Sequence, residues 1–235
     1  MAVDTGAAII EKARELGAVA AGIASVELLM QSPSHQILAK FGTKIDGEYA
    51  YDEEHDRRQV DWPVEARSVV VIAVSHPRDE PELDWSCATG QTPGNRLLVQ
   101  VAQQLSDWIR ESPDVRARPM PYHVEEGGVY VKDAAVLAGL GCIGRSNIVV
   151  SPEHGPRIRL RVLLLDAELT PTGPIAFDPC RGCGKPCRTA CPQQAFATAV
   201  LSSAEAGIDE LPGRDGSYSR ARCRTWSARR SRSSR

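Results

Sequence analysis

Four cysteines, Cys180, Cys183, Cys187 and Cys191, the last followed by Pro192, form a Cys-x2-Cys-x3-Cys-x3-Cys-Pro run that constrains this chain more than any other feature. The run reads as an iron–sulfur ligand loop. Iron in such a centre takes thiolates at its corners, so closely spaced cysteines in a tight loop supply several corners from one segment, and the proline keeps the chain from continuing as a helix.

Two other uses of thiols compete with this reading. A disulfide framework needs an oxidising compartment, and nothing else marks the chain as secreted. Four thiolates also satisfy a tetrahedral zinc. Zinc ligands usually arrive as two separated Cys-x2-Cys knuckles, whereas here they form one compressed string ending in Cys-Pro. The bacterial ferredoxin spacing has two residues in its second gap where this chain has three, Gly184, Lys185 and Pro186. The iron–sulfur reading leads, and zinc is the alternative.

At 235 residues the chain exceeds the usual size of one domain, so one sizeable domain with a small appendage is expected. The formal charge of −2 conceals an asymmetry: from Arg214 onward there are eight arginines and one acid, leaving 20 basic against 29 acidic groups in residues 1–213. The body is acidic and only the tail is basic. Glu11, Lys12, Arg14 and Glu15 interrupt the apolar stretch near the amino terminus, so no signal peptide is read there, and no run approaches the length of a membrane span. A soluble, cytoplasmic protein with no membrane partner is the expectation.

Ala8, Ile9, Ala13 and Leu16 fall at helical spacing before Gly17, and a strand follows near Val19–Ala24. The β-branched run Ser68–Val74 reads as a buried strand. From Asn95 to Glu111, Leu97, Leu98, Val101, Leu105 and Ile109 share a helical face. Residues 132–140 read as a short helix ending at Gly141, with strands at Val149–Val150 and Leu160–Leu165. This alternation predicts an α/β layered domain over residues 1–170. Residues 41–63 and 76–94 read as long functional loops. Pro171, Pro174 and Pro179 mark the entry to a cysteine module over 171–227, and the Arg/Ser tail over 228–235 lacks an apolar face and reads as disordered.

Two segments carry a specific resemblance. The stretch Val131-Lys132-Asp133-Ala134-Ala135-Val136-Leu137-Ala138-Gly139-Leu140-Gly141-Cys142-Ile143-Gly144-Arg145, then Ser151-Pro152-Glu153-His154-Gly155-Pro156-Arg157-Ile158-Arg159-Leu160-Arg161 leading to Asp166, resembles the core signature of epoxyqueuosine reductases and corrinoid-dependent reductive dehalogenases. Gly17–Ala24, Pro63–Val74 and Thr92-Pro93-Gly94-Asn95-Arg96 are similar to the same superfamily, so the likeness spans roughly residues 10–195.

The resemblance implies a nitroreductase-like α/β (α+β) domain that cradles a cobalamin, followed by a small ferredoxin-like module with 4Fe-4S clusters. It also implies electrons passing from cluster to cobalt, and an external donor such as a ferredoxin or flavodoxin. The family's two-cluster module needs eight cysteines, and this chain has seven. Cys223 matches the intermediate position, after which the Arg/Ser tail begins. Either one cluster forms with a rearranged ligand set or the chain is truncated, and a change of reading frame near residue 224 would explain the shift in composition. At most one complete 4Fe-4S cluster is expected, held by Cys180, Cys183 and Cys187, with Cys191 or Cys223 as the fourth ligand.

By the same resemblance Asp133 is a proton donor near the substrate; its alternative is a helix cap or surface acid. Lys132 and Arg145 are candidates for binding phosphate or corrin amide groups, with exposed cations as the alternative. Cys142 reads as a packed thiol and Cys87 as an exposed one. His35, His55, His76, His123 and His154 show no metal-ligand spacing. Gly139-Leu140-Gly141 is a turn, not a dinucleotide fingerprint. The leading function is an iron–sulfur oxidoreductase of epoxyqueuosine-reductase-like type; the alternative is a non-catalytic ferredoxin-type carrier or corrinoid-handling protein. An acidic body favours a small-molecule or protein substrate over tRNA, unless Arg157, Arg159 and Arg161 form a local basic patch.

Overall fold

The computed structural model describes residues 5–41, 60–85, 91–112, 114–124, 126–209, 211, 216–219 and 222–223. Its centre is an antiparallel sheet in the order β1-β2-β6-β3, with β1 at Ala20–Ser25, β2 at Ser68–Ser75, β3 at Ala117–Pro119 and β6 at Ile158–Leu165. β2 is the β-branched run expected to be buried, and every residue from Ser68 to Val74 is enclosed. It pairs with β1 through Ala73↔Ala20 to Ser68↔Ser25 and with β6 through Ser68↔Leu165 to Ser75↔Ile158.

Side chains of a strand alternate between faces, so β2 feeds two separate cores. Val70, Ile72 and Val74, with Leu163 and Leu165 of β6, pack against α1 (Thr5–Glu15) and α4 (Pro93–Arg110). Val69, Val71 and Ala73, with Leu160, Val162 and Leu164, pack against α2 (Val26–Met30) and α5 (Val131–Leu137). The amphipathic helix read over Asn95–Glu111 is α4, started by Pro93 and capped by Thr92, whose Oγ1 accepts from the Asn95 N–H at 3.3 Å. Leu98, Val101, Leu105 and Ile109 are buried as the spacing predicts, whereas Leu97 lies off that face and is 40 % exposed.

α5 ends at Leu137 instead of reaching Gly141, because the chain turns through Gly139, at φ +78°, into a hairpin of β4 (Cys142–Ile143) and β5 (Val149–Val150). α3 (Pro33–Phe41) was not foreseen, and a short 3-10 turn occupies Pro81–Asp84 inside the second long loop. Residues 42–59 and 86–90 of those two loops, with Cys87 among them, and the Arg/Ser tail lie outside the described residues. Two short helices, α6 (Pro186–Thr189) and α7 (Ser203–Ala206), belong to the cysteine-bearing segment. Among the described residues no helix is long and apolar enough to cross a membrane.

The outer edge of β1 is covered where the chain leaves β6. Thr172 donates its N–H to the Ile23 carbonyl (2.9 Å), its Oγ1 accepts from the Ile23 N–H (2.8 Å) and donates to the Ala138 carbonyl (2.7 Å). An edge strand left bare would offer its backbone groups to another chain. Gly22 permits this closure: a Cβ there would stand 2.2 Å from the Ala138 carbonyl oxygen and 2.8 Å from Thr172 Oγ1. Gly22→Ala must push α5 and Thr172 away from β1, so we predict a loss of about 2–4 kcal/mol, in the range of overpacking with a broken buried bond. Urea unfolding followed by circular dichroism measures it, and an unchanged midpoint would contradict the close approach.

Candidate metal centre and its docking face

The cysteine loop is shaped by backbone turns. Asp178 begins an Asx turn, its Oδ1 accepting from the Cys180 N–H at 2.9 Å, and the Cys183 N–H returns to the Cys180 carbonyl at 3.3 Å. Gly182 at φ +71° and Lys185 at φ +60° take the left-handed turns that let the chain double back before Pro186 opens α6, which carries Cys187. The Cys191 N–H donates to the Arg188 carbonyl at 3.2 Å. Cys180 and Cys191 are half-buried, whereas Cys183, Cys187 and Cys223 are exposed.

Backbone amides point at two of the sulfurs. The Arg145 N–H, in the β4–β5 turn, donates to Cys180 Sγ at 3.4 Å, and the Ala195 N–H donates to Cys191 Sγ at 3.5 Å. Such bonds are a feature by which proteins tune iron–sulfur centres. Cys223 belongs to the same neighbourhood through the backbone: its N–H donates to Ser219, whose own N–H donates to Ala195 at 2.7 Å. Among the described residues no three His, Cys, Asp or Glu side chains are gathered into a metal-holding group.

Arg188, one residue past Cys187, fastens the loop to the layered domain. Its Nε donates to the Arg145 carbonyl (2.8 Å), its Nη1 donates to Ser217 Oγ (2.9 Å), and its guanidinium lies 5.3 Å over the Phe196 ring. A second joint lies at α3, where Ile37 packs with Leu201, Ala206 and Leu211. Lys40 donates to the carbonyls of Glu205 and Ala206, a cation at the carboxyl end of α7.

The residues singled out in the sequence divide between these joints. Lys132 reaches the hairpin tip, donating to the Asn147 carbonyl (3.1 Å) and to Asn147 Oδ1 (3.0 Å). Arg145 borders the cysteine loop, and its Nε is buried with no hydrogen-bond partner among the described residues. Cys142 is half-buried in β4, facing Val150 across the hairpin. Asp133 is 4 % exposed and is bound to α3, where it accepts from the Ser34 N–H (2.9 Å) and Ser34 Oγ (2.7 Å). It therefore satisfies an orphan amide at the amino end of another helix.

Beside Asp133 lies a buried group that sequence reasoning passed over. His35 accepts the Tyr130 N–H on Nε2 (3.4 Å), so the neutral ring carries its proton on Nδ1, bonded to Ser32 Oγ (2.8 Å). Its ring meets Tyr130 edge-on and Trp62 at a tilt, with centroids 5.0 and 5.5 Å away. Burial pushes its pKa down to about 4, against the upward pull of the Asp133 charge. The signal available was Ser32-Pro33 ahead of Ser34-His35, a helix-start pattern. For Arg188 it was only an arginine between two cysteines.

The arginines read as a basic patch are partly neutralised. Arg157 and Arg159 both reach Asp84, which His76 also contacts. Burial raises the Asp84 carboxyl, but hydrogen bonds from Arg159 and His76 outweigh this and hold it below its ordinary value. Arg161 donates to the Met120 carbonyl and lies over the Tyr122 ring.

No family model matches the chain. An epoxyqueuosine reductase of Gloeobacter violaceus is 28 % identical over 194 residues, covering 79 % of this chain and 60 % of the relative. A tetrachloroethene reductive dehalogenase of Desulfitobacterium hafniense is 30 % identical over 154 residues, covering 61 % of this chain and 26 % of the relative. Among solved structures, an epoxyqueuosine reductase with an epoxyqueuosine-modified tRNA-Tyr stem loop superposes with a TM-score of 0.59 at 20 % identity, over 89 % of this chain and 54 % of that one. A reductive dehalogenase described as suggesting a mechanism for B12-dependent dehalogenation gives 0.56 at 24 %, over 80 % and 25 %. The chain thus shares the fold of epoxyqueuosine reductase and is similar in sequence to epoxyqueuosine reductases and reductive dehalogenases. It spans about 60 % of the length of its Gloeobacter relative.

The Asp133–His35 region makes two predictions. Asp133→Asn leaves one Ser34 donor facing an amide N–H₂, and we expect a loss of about 1–3 kcal/mol in chemical denaturation. His35 is neutral when folded down to about pH 4, while in the unfolded chain it takes up a proton near 6.5. Stability from this residue is therefore complete above pH 6.5 and declines as pH falls toward 4, by up to ~3 kcal/mol at ~1.36 kcal/mol per unit. Unfolding midpoints of the protein and of His35→Gln should converge as pH drops from 7 to 4.5; a constant difference would contradict the burial argument.

Proposed function

We propose that this chain is an iron–sulfur oxidoreductase of epoxyqueuosine-reductase-like type, in which a nitroreductase-like layered domain over 1–170 presents the β4–β5 hairpin to a ferredoxin-like module over 171–227. The observation that carries the reading is the Arg145 amide donating to Cys180 Sγ: the cysteine loop is docked by its sulfur against the signature hairpin of the fold. The donor set fits an iron–sulfur group. It offers soft thiolates from one loop, amides directed at two sulfurs, and cations in Arg145 and Arg188 to offset thiolate charge.

Cys180, Cys183 and Cys187 would hold three corners, with Cys191 or Cys223 as the fourth, metal binding being coupled to local folding of the loop. When bound, such a cluster would supply one-electron transfer, and a corrinoid would supply a redox-active cobalt. The chain's own residues hold the loop: Lys132 anchors the hairpin tip, Arg188 clamps the loop to it, and Asp133 anchors α3 beneath α7. Asp133 as proton donor, the role the resemblance implies, competes with that anchoring role. Electrons come from a ferredoxin- or flavodoxin-type donor. The acidic body favours a small-molecule substrate over tRNA, although a relative's structure holds a tRNA stem loop.

Anaerobically purified protein should be brown, with about four irons and as many sulfides per chain, as one 4Fe-4S cluster holds, and an absorption band that bleaches on reduction. Cys183→Ser should lose most of it and Cys142→Ser should keep it. Stoichiometric zinc without sulfide would contradict the reading, as would about eight irons per chain. Adding free cobalamin separates reductase from carrier, because a carrier without a corrin pocket leaves the cobalamin spectrum unchanged.

A further inference from the structure

We propose that the Gly144–Asn147 turn sets the reduction potential of the centre held through Cys180, with Arg188 and Lys132 as positioning residues that aim its amide. The inference rests on the iron–sulfur reading above and deepens it. The Arg145 N–H is the only amide of the layered domain seen donating to a cysteine of the loop among the described hydrogen bonds. The turn packs closely on its surroundings: a Cβ at Gly144 would press on Val150 Cγ2 at 3.0 Å and meet Cys180 Sγ at an ordinary contact distance of 3.5 Å.

The turn is fixed from three directions. Inside it, Gly144 donates to the Ile148 carbonyl (2.9 Å), and Asn147, at φ +56°, donates back to the Gly144 carbonyl (2.9 Å). From the layered domain, Lys132 grips Asn147 through two acceptors. From the cysteine module, Arg188 grips the Arg145 carbonyl and is itself braced by Ser217 and Phe196. Reduction adds one electron to the cluster and increases the negative charge on its sulfurs. An N–H dipole aimed at a sulfur stabilises that form more than the oxidised one, which raises the potential. The aim of one peptide therefore couples α5, through Lys132, to the ease with which the cluster accepts an electron.

The test is a dithionite titration of the cluster-loaded chain, followed by electron paramagnetic resonance, in Arg188→Lys, Lys132→Met and Lys40→Met. Arg188→Lys keeps the charge but loses the fork that binds two acceptors at once. Lys40→Met loosens the other joint and leaves the turn intact. We expect Arg188→Lys and Lys132→Met each to change the reduced-to-oxidised ratio about tenfold toward oxidised at a fixed ambient potential, which is ~59 mV for a one-electron couple. Lys40→Met should leave it unmoved. An exchangeable proton coupled to the reduced centre should weaken in the first two variants only. Should Arg188→Lys fail to retain its cluster, Lys132→Met decides alone. Unchanged potentials in a loaded protein, or an equal shift in Lys40→Met, would overturn the proposal while leaving the iron–sulfur reading intact. Wild-type protein without iron and sulfide would overturn that reading, and this inference with it.

Discussion

The burial of β2 on both faces and along both edges is the constraint from which the rest of the structure follows. A strand that gives Val70, Ile72 and Val74 to one side and Val69, Val71 and Ala73 to the other must be covered by two layers. Helices α1 and α4 cover the first side, and α2 and α5 the second. Because α5 is packed through Ala134, Ala135 and Ala138, small residues that admit a close approach to the sheet, its position is fixed. The hairpin that follows inherits that precision. Burial at about 25 cal/mol per Å² of apolar surface makes this layered core the dominant stabilising element, against which the cysteine module is a light attachment.

That attachment is polar where the core is apolar. One joint consists of backbone groups and two long cations, Lys132 and Arg188, meeting at the β4–β5 turn. The other is α3, whose amino end is held by Asp133 and whose far half carries Ile37 and Lys40 to α7. Asp133 and Lys132 are adjacent in sequence yet serve different joints: one faces back to α3, the other forward to the turn. Neighbouring residues on one helix lie about 100° apart, which lets a single turn of α5 brace the module in two places.

Much of the layered domain was legible in the sequence. β2 announces itself as a β-branched run, and α4 as apolar residues at three- and four-residue spacing behind Thr92-Pro93. Leu97 was misplaced because the face spans less of the helix than simple counting allows. Strand order was not legible, since β2 pairs with residues 43–53 positions away in β1 and 83–97 positions away in β6. α3 was hidden for a related reason: its start is polar, and its amino end is satisfied by Asp133 from a distant helix. The cysteines were plain in the sequence. The amide that meets Cys180 was not, because a backbone N–H leaves no mark on a sequence and only the packing of α5 brings it there.

The central claim is that these thiolates hold iron and sulfide against the hairpin of the layered domain. X-ray absorption at the metal edge of the anaerobically prepared chain tests it most directly. An iron–sulfur centre gives an iron edge, a shell of sulfur neighbours and a second shell of iron around iron, the mark of a cluster. A zinc edge with four sulfurs at about 2.3 Å and no metal neighbour, the pattern of a structural zinc site, would contradict it.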